Sequence, residues 1–204
     1  MQLKNVNWIG LVSGILLIAV ILLSLYNPWW QLRIGDFGYA NFSLLNTDFS
    51  FLGITFFIPL LTAINVSCLL LLSISAALMI VYSVNQTKKY SKQLLCWSYK
   101  KPPTILITFI GLIVALSLLV PFIANQYAQV NFTIPIMGTS VIQVPSELLG
   151  ELSGVQISIA VSGAFQWTFY LAIAAAVLCI ATRIFYNKAS FITNPVDNTT
   201  APSS

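Results

Sequence analysis

Four uncharged stretches divide the chain. Residues 8–26, 55–83, 104–124 and 164–182 contain no Asp, Glu, Lys or Arg, and a helix needs about 20 apolar residues to cross the ~30 Å hydrocarbon core of a bilayer. Runs such as ILLIAVILL (15–23) and FIGLIVALSLLV (109–120) are apolar on every side, whereas the strands of a membrane barrel alternate over about ten residues. Backbone groups in lipid must be satisfied internally. The pattern therefore predicts four helical spans at about 8–26, 55–83, 104–124 and 164–185.

The segments between spans one and two (27–54) and between spans three and four (125–163) are far longer than a helix–helix connection requires. Both carry strand signals. WQLRI (30–34) alternates, Gly35-Asp36-Phe37-Gly38 supplies turn chemistry, and YANFSLL (39–45) alternates less cleanly, which predicts a hairpin. In the second segment QVNFTIPI (129–136) and VQISIAVSG (155–163) have the period of half-buried strands. Between them PSELLGEL (145–152) has Pro at its start and acids in its first turns, the signature of a short helical turn. The expected fold class is an all-α transmembrane four-helix bundle, residues 1–186, with a small extracellular β-sheet formed by the two outer loops. Residues 187–204, ending NPVDNTTAPSS, are polar and expected to be a disordered cytoplasmic tail.

Composition agrees with a membrane solvent. Hydrophobic residues make up 58% of the 204, charged residues only 7%, against roughly 25% charged in soluble domains. Basic residues near span ends stay on the cytoplasmic side, and Lys4, Lys88, Lys89, Lys92, Lys100, Lys101, Arg183 and Lys188 all fall on one side of the four spans, with Arg33 alone on the other. Both termini and the 84–103 loop are thus expected in the cytoplasm of a multi-pass plasma-membrane protein. The first span, followed by SLYNPWW with no small-residue cleavage site, reads as a retained signal anchor.

The candidate chemistry is sparse. Without a histidine, the chain cannot build a bis-histidine haem, a histidine-ligated metal or a Ser-His-Asp triad by itself, and it has no CxxC, P-loop or GxGxxG. Cys68 and Cys179 lie in spans and Cys96 in the central loop, so no pair would bridge the outer loops. Glu147 and Glu151 share a face of the short turn and read as solvated. No catalytic residue, metal site or cofactor is expected. Ionisable residues inside spans mark ion paths or ligand sites, and here there are none. Thr62, Asn65 and Gln166 remain as a candidate polar lining, with structural hydrogen bonding between helices as the plainer reading. Gly10/Gly14, Gly111/Ala115 and Ala172/Ala176 are small-xxx-small pairs that permit close helix approach. Lys88, Lys89, Lys92, Lys100 and Lys101 could meet anionic lipid headgroups, although topology alone accounts for them. Asn41-Phe-Ser and Asn131-Phe-Thr are candidate glycosylation sites on the outer side. Trp29, Trp30 and Arg33 are the candidate interaction residues of the first outer loop.

Four spans, cytoplasmic ends and Trp-bearing strands in the first outer loop resemble the claudin-like tetraspan architecture. Trp29 and Trp30 match its tryptophan, while its Gly-Leu-Trp and its two loop cysteines have no counterpart. The Pro28-Trp29-Trp30 after the first span is also similar to uncharacterised four-span proteins of archaea. Neither resemblance carries a mechanism. The expectation is a non-enzymatic structural or accessory subunit contacting a protein partner through its outer sheet, surrounded by membrane lipids and with no nucleic-acid partner. The alternatives are a small channel or transporter formed as a homo-oligomer, and a membrane subunit of a redox complex whose cofactors sit in partner chains.

Overall fold

The computed structural model of the chain describes residues 6–43, 47–85, 90–128, 133–144 and 157–193. Its elements are α1 (Trp8–Ser24), β1 (Trp30–Ile34), β2 (Gly38–Phe42), β3 (Thr47–Phe51), β4 (Ile54–Phe56), α2 (Pro59–Val84), α3 (Ser91–Ala128), β5 (Gly138–Val144), β6 (Ile157–Phe165) and α4 (Trp167–Thr193). Three of the helices, α2, α3 and α4, are long and apolar enough to cross a bilayer; α1 is apolar but spans 17 residues.

The helices form a closed ring in which α1 packs on α2, α2 on α3, α3 on α4 and α4 back on α1. Small residues set the spacing on the α1 side. A Cβ on Gly10 would lie 2.5 Å from Ser83 Oγ, and one on Gly14 would lie 2.6 Å from Ile80 Cγ1, so α1 approaches α2 to a distance only glycine permits. A Cβ on Gly111 would meet nothing within 4 Å among the described residues, so that glycine makes no close approach to them. Leu17, Met79, Tyr82, Ile113, Ala175 and Cys179 fill the interior of the ring. The amino end of α1 is fastened by Asn7, whose Oδ1 accepts from the Gly10 amide at 3.1 Å and whose own amide donates to the Ser83 carbonyl at 3.0 Å.

The six strands form one antiparallel sheet in the order β4-β3-β2-β1-β6-β5, with the first loop supplying four strands and the second loop two. This overturns the expectation of an all-α bundle carrying a small loop sheet. The fold is four helices and a substantial six-stranded sheet that forms a layer of its own. Three strands lie where the pattern does not predict them. TDFSF and ITF flank Leu52-Gly53, whose φ values of +52° and +78° mark a tight hairpin turn, but hydropathy assigns this region to a loop and a span. Likewise GTSVIQV, not QVNFTIPI, supplies the strand beside β6. Of the latter, residues 133–136 run as an irregular strap, because Pro135 has no amide to offer a ladder and the Thr133 and Ile136 carbonyls accept from side chains instead, Ser140 Oγ at 2.7 Å and Trp30 Nε1 at 2.7 Å. Residues 129–132 and the 145–152 segment with Glu147 and Glu151 lie outside the described residues.

Helix boundaries also move. The expected 84–103 loop shrinks because α3 starts at Ser91 and runs for 38 residues through Pro102 and Pro103, about 57 Å at 1.5 Å per residue. Pro102 withholds the amide that would bond the Ser98 carbonyl one turn back. Ser75 Oγ of α2 takes that carbonyl at 2.6 Å, and Ser98 Oγ donates to the Ser75 carbonyl at 2.8 Å. A reciprocal pair between two helices thus uses the acceptor that the proline frees. At the other end of the bundle β6 extends to Phe165, so α4 starts at Trp167, and α4 continues to Thr193.

Candidate functional site

The corner between α1 and the sheet is built by Asn27-Pro28-Trp29-Trp30. The Trp29 amide donates to the Phe42 carbonyl at 2.7 Å, the Gln166 amide donates to the Trp29 carbonyl at 2.9 Å, and Thr168 Oγ1 donates to the Pro28 carbonyl at 2.8 Å. Four residues therefore join α1, β2 and the start of α4. The two indoles point inward. Trp29 is 1% exposed, lies edge-on to Phe109 of α3 at 5.1 Å and 6.0 Å from Phe169 of α4, and its Nε1 donates to Ser24 Oγ at 2.7 Å. Trp30 is 2% exposed and packs on Phe42 at 5.6 Å. Of the three residues expected to contact a partner, the two tryptophans are core and Arg33 alone is exposed.

Strand alternation sorts the sheet into two faces. Trp30, Leu32 and Ile34 turn toward the helices with Ala40, Phe42, Phe49 and Val161, while Gln31 and Arg33 share the outer face with Tyr39, Asn41 and Ser50 by register. There the β1–β2 and β3–β4 turns, tied by the Leu52 amide to the Phe37 carbonyl at 2.7 Å, rim a shallow polar concavity of about 480 Å³. Gln31, Arg33, Asp36, Tyr39, Asn41 and Ser50 line it. The hairpin alternation in the sequence carries this face; the contribution of Ser50 stays hidden there because nothing in the pattern announces β3.

Asn41 is half-buried between Gln31 and Asp48 of the flanking strands, and its Oδ1 is shielded with no hydrogen-bond partner. The hydroxyl of its sequon is engaged, since buried Ser43 Oγ donates to the Ser24 carbonyl at 3.0 Å. Asn131 lies outside the described residues.

The three polar span residues do not converge. Asn65 Nδ2 donates to Thr47 Oγ1 of β3 at 2.6 Å, Gln166 Nε2 donates to Gln31 Oε1 at 3.4 Å, and exposed Thr62 bonds back to its own helix at the Ile58 carbonyl, 3.4 Å away. Two of them fasten helices to the sheet. Of the lysines, Lys92, Lys100 and Lys101 ride on the first turns of α3, with Lys101 Nζ 5.7 Å from the Trp97 ring centre and the Arg183 guanidinium 5.6 Å from that of Tyr99. These cations gather at the end of the bundle opposite the sheet. Lys88 and Lys89 lie outside the described residues. Among the described residues no three His, Cys, Asp or Glu side chains group together, and Cys68, Cys96 and Cys179 are free thiols.

No protein-family model matches the chain, and no curated protein is significantly similar to it. The three long apolar helices are compatible with a membrane protein, and function rests on the geometry alone.

Proposed function

We propose that the chain is a non-enzymatic four-span protein of the plasma membrane, with cytoplasmic termini, that uses its extracellular sheet as a rigid platform for protein contacts in an accessory or structural role. The observation that carries this reading is the division of labour across the sheet. Its inner face carries the apolar side chains and faces the helices, and its outer face presents polar groups, Arg33 and Asp36 among them, over a concavity rimmed by two tied turns. A sheet anchored through two buried indoles changes shape little on binding, which lowers the ordering cost of an interface. Polar side chains with a tyrosine and an arginine at the centre are the composition of a contact surface.

The orientation draws its support from charge. Lys92, Lys100, Lys101 and Arg183 lie at the helix end remote from the sheet, as expected of the cytoplasmic side. For α1, a 17-residue helix of about 26 Å crosses a ~30 Å core with its polar Asn7 cap and the Asn27-Pro28 corner at the two interfaces. The claudin-like resemblance supports the reading at the level of architecture, in that strands follow the first helix directly and a tryptophan pair opens them.

Affinity purification from native membranes in a mild detergent, followed by mass spectrometry, tests the proposal. The wild-type chain is expected to retain a stoichiometric partner that Arg33→Glu combined with Gln31→Ala releases. Retention of an unchanged set of proteins by that variant would overturn the platform reading.

A further inference from the structure

Beneath the sheet lies an open cavity of about 590 Å³, within the ~300–1,000 Å³ of ordinary ligand pockets. Its roof is the inner face of the sheet, including Leu32, Phe49 and Ile142, and its floor is Leu116 and Val120 of α3, with Phe56 at the entry to α2 closing one side. Tyr39 and Ser50 border it from strand positions whose side chains belong by register to the outer face, and the Trp30 indole N–H is already engaged by the Ile136 carbonyl. Water needs two to four polar partners to occupy such a space.

We propose that this cavity holds one hydrocarbon chain of a membrane lipid. The lining adjoins exposed apolar side chains: Phe56, Phe57 and Ile58 on the α2 side, and Leu118, Leu119 and Phe122 on α3. In a bilayer that surface faces lipid, so the cavity opens onto hydrocarbon and not onto water. This step rests on the membrane-spanning reading given above. The dimensions select the occupant. A helix about 10 Å across fills roughly 420 Å³ in each 5.4 Å turn, so the space admits little more than one turn of a partner helix, whereas a slender flexible chain can follow it along the sheet. A chain seated there would support Phe49 and Phe56, which are only partly covered or exposed, and would link the lipid phase to the sheet that carries the proposed contact face.

The test reconstitutes the full-length chain in phosphatidylcholine vesicles whose acyl chains carry a mid-chain diazirine, irradiates them and maps adducts by peptide mass spectrometry. Two sets of adducts are expected: lipid-facing positions on α3 such as Leu118 and Phe122, and inner-face strand positions such as Phe49 and Ile142. Leu116→Trp, which fills the floor, should reduce the strand adducts at least tenfold and leave the α3 adducts unchanged. Unlabelled lipid should compete away the strand adducts at a lower ratio than the α3 adducts, a readout that needs no variant. Helix adducts without strand adducts would overturn the lipid site while leaving the membrane reading intact; absence of both would overturn the membrane reading itself. Strand adducts that persist in a folded Leu116→Trp protein and compete no better than those on α3 would identify bulk lipid contact, and would also overturn the site.

Discussion

Replacing Trp29 with alanine removes the side chain on which α1, α3, α4 and the sheet meet. The indole is 1% exposed and contacts the rings of Phe109 and Phe169. Truncation of a buried tryptophan costs about 3–5 kcal/mol. The lost indole hydrogen bond adds little, because Ser24 Oγ still donates to the Val20 carbonyl at 2.6 Å, and the backbone bonds of Trp29 to Phe42 and Gln166 survive. At about 2–4 °C per kcal/mol for a chain of this size, the midpoint should fall by ~6–20 °C. Trp29→Phe keeps a ring against Phe109 and loses the N–H bond and some volume, for about 1–2 kcal/mol. Trp8, 61% exposed at the start of α1, is the control, and Trp8→Ala should change stability by no more than ~0.5 kcal/mol. The assay heats each protein in detergent and measures the surviving monodisperse fraction by size exclusion. A Trp29→Ala midpoint no lower than that of Trp8→Ala would refute the claim that this corner locks sheet to bundle.

Other perturbations probe the remaining joints. Gly10→Val should lower the midpoint, since overpacking at a contact where even a Cβ meets Ser83 Oγ costs about 1–3 kcal/mol, whereas Gly111→Ala, with open space around it, should raise stability by up to ~1 kcal/mol. Ser75→Ala should cost about 0.6–1.5 kcal/mol, and that cost should shrink in a Pro102→Ala background, where a restored amide can bond the Ser98 carbonyl; an unchanged cost would argue against the proline-freed acceptor. Gly163→Ala would drive a methyl into the Pro135 carbonyl, so the 133–136 strap should lift and become cleavable by limited proteolysis at concentrations that leave the wild type intact.

The helices are legible in the sequence because their apolar runs are long, and β1 is legible to the residue because Trp30 to Ile34 alternate cleanly before a glycine-bounded turn. What stays hidden does so for physical reasons. Apolar aromatic residues in TDFSF and ITF look the same to a hydropathy window whether they cover a sheet or enter a membrane, and the Leu52-Gly53 turn places a leucine where asparagine would announce a hairpin. Pro102-Pro103 reads as a helix stop in isolation, yet the missing bond is made good across the bundle by Ser75. The tryptophans read as candidate interaction residues from sequence, although their rings fill the space where helices and sheet meet. Arg33 is visible as the one basic residue on its side, but the polar face around it emerges only when β3 is laid beside β2.

The most direct measurement is the side of the membrane on which each end of the bundle lies. In a variant with Cys68, Cys96 and Cys179 replaced by serine or alanine, single cysteines are placed at Asp36, in the exposed β1–β2 turn, and at Lys92, exposed on the first turn of α3. Intact cells are treated with a membrane-impermeant maleimide. Labelling at position 36 in intact cells, and at position 92 only after permeabilisation, is the expected result. Labelling of both positions from the same side, or of position 92 alone in intact cells, would contradict a platform held outside the membrane by a bundle whose basic end lies within.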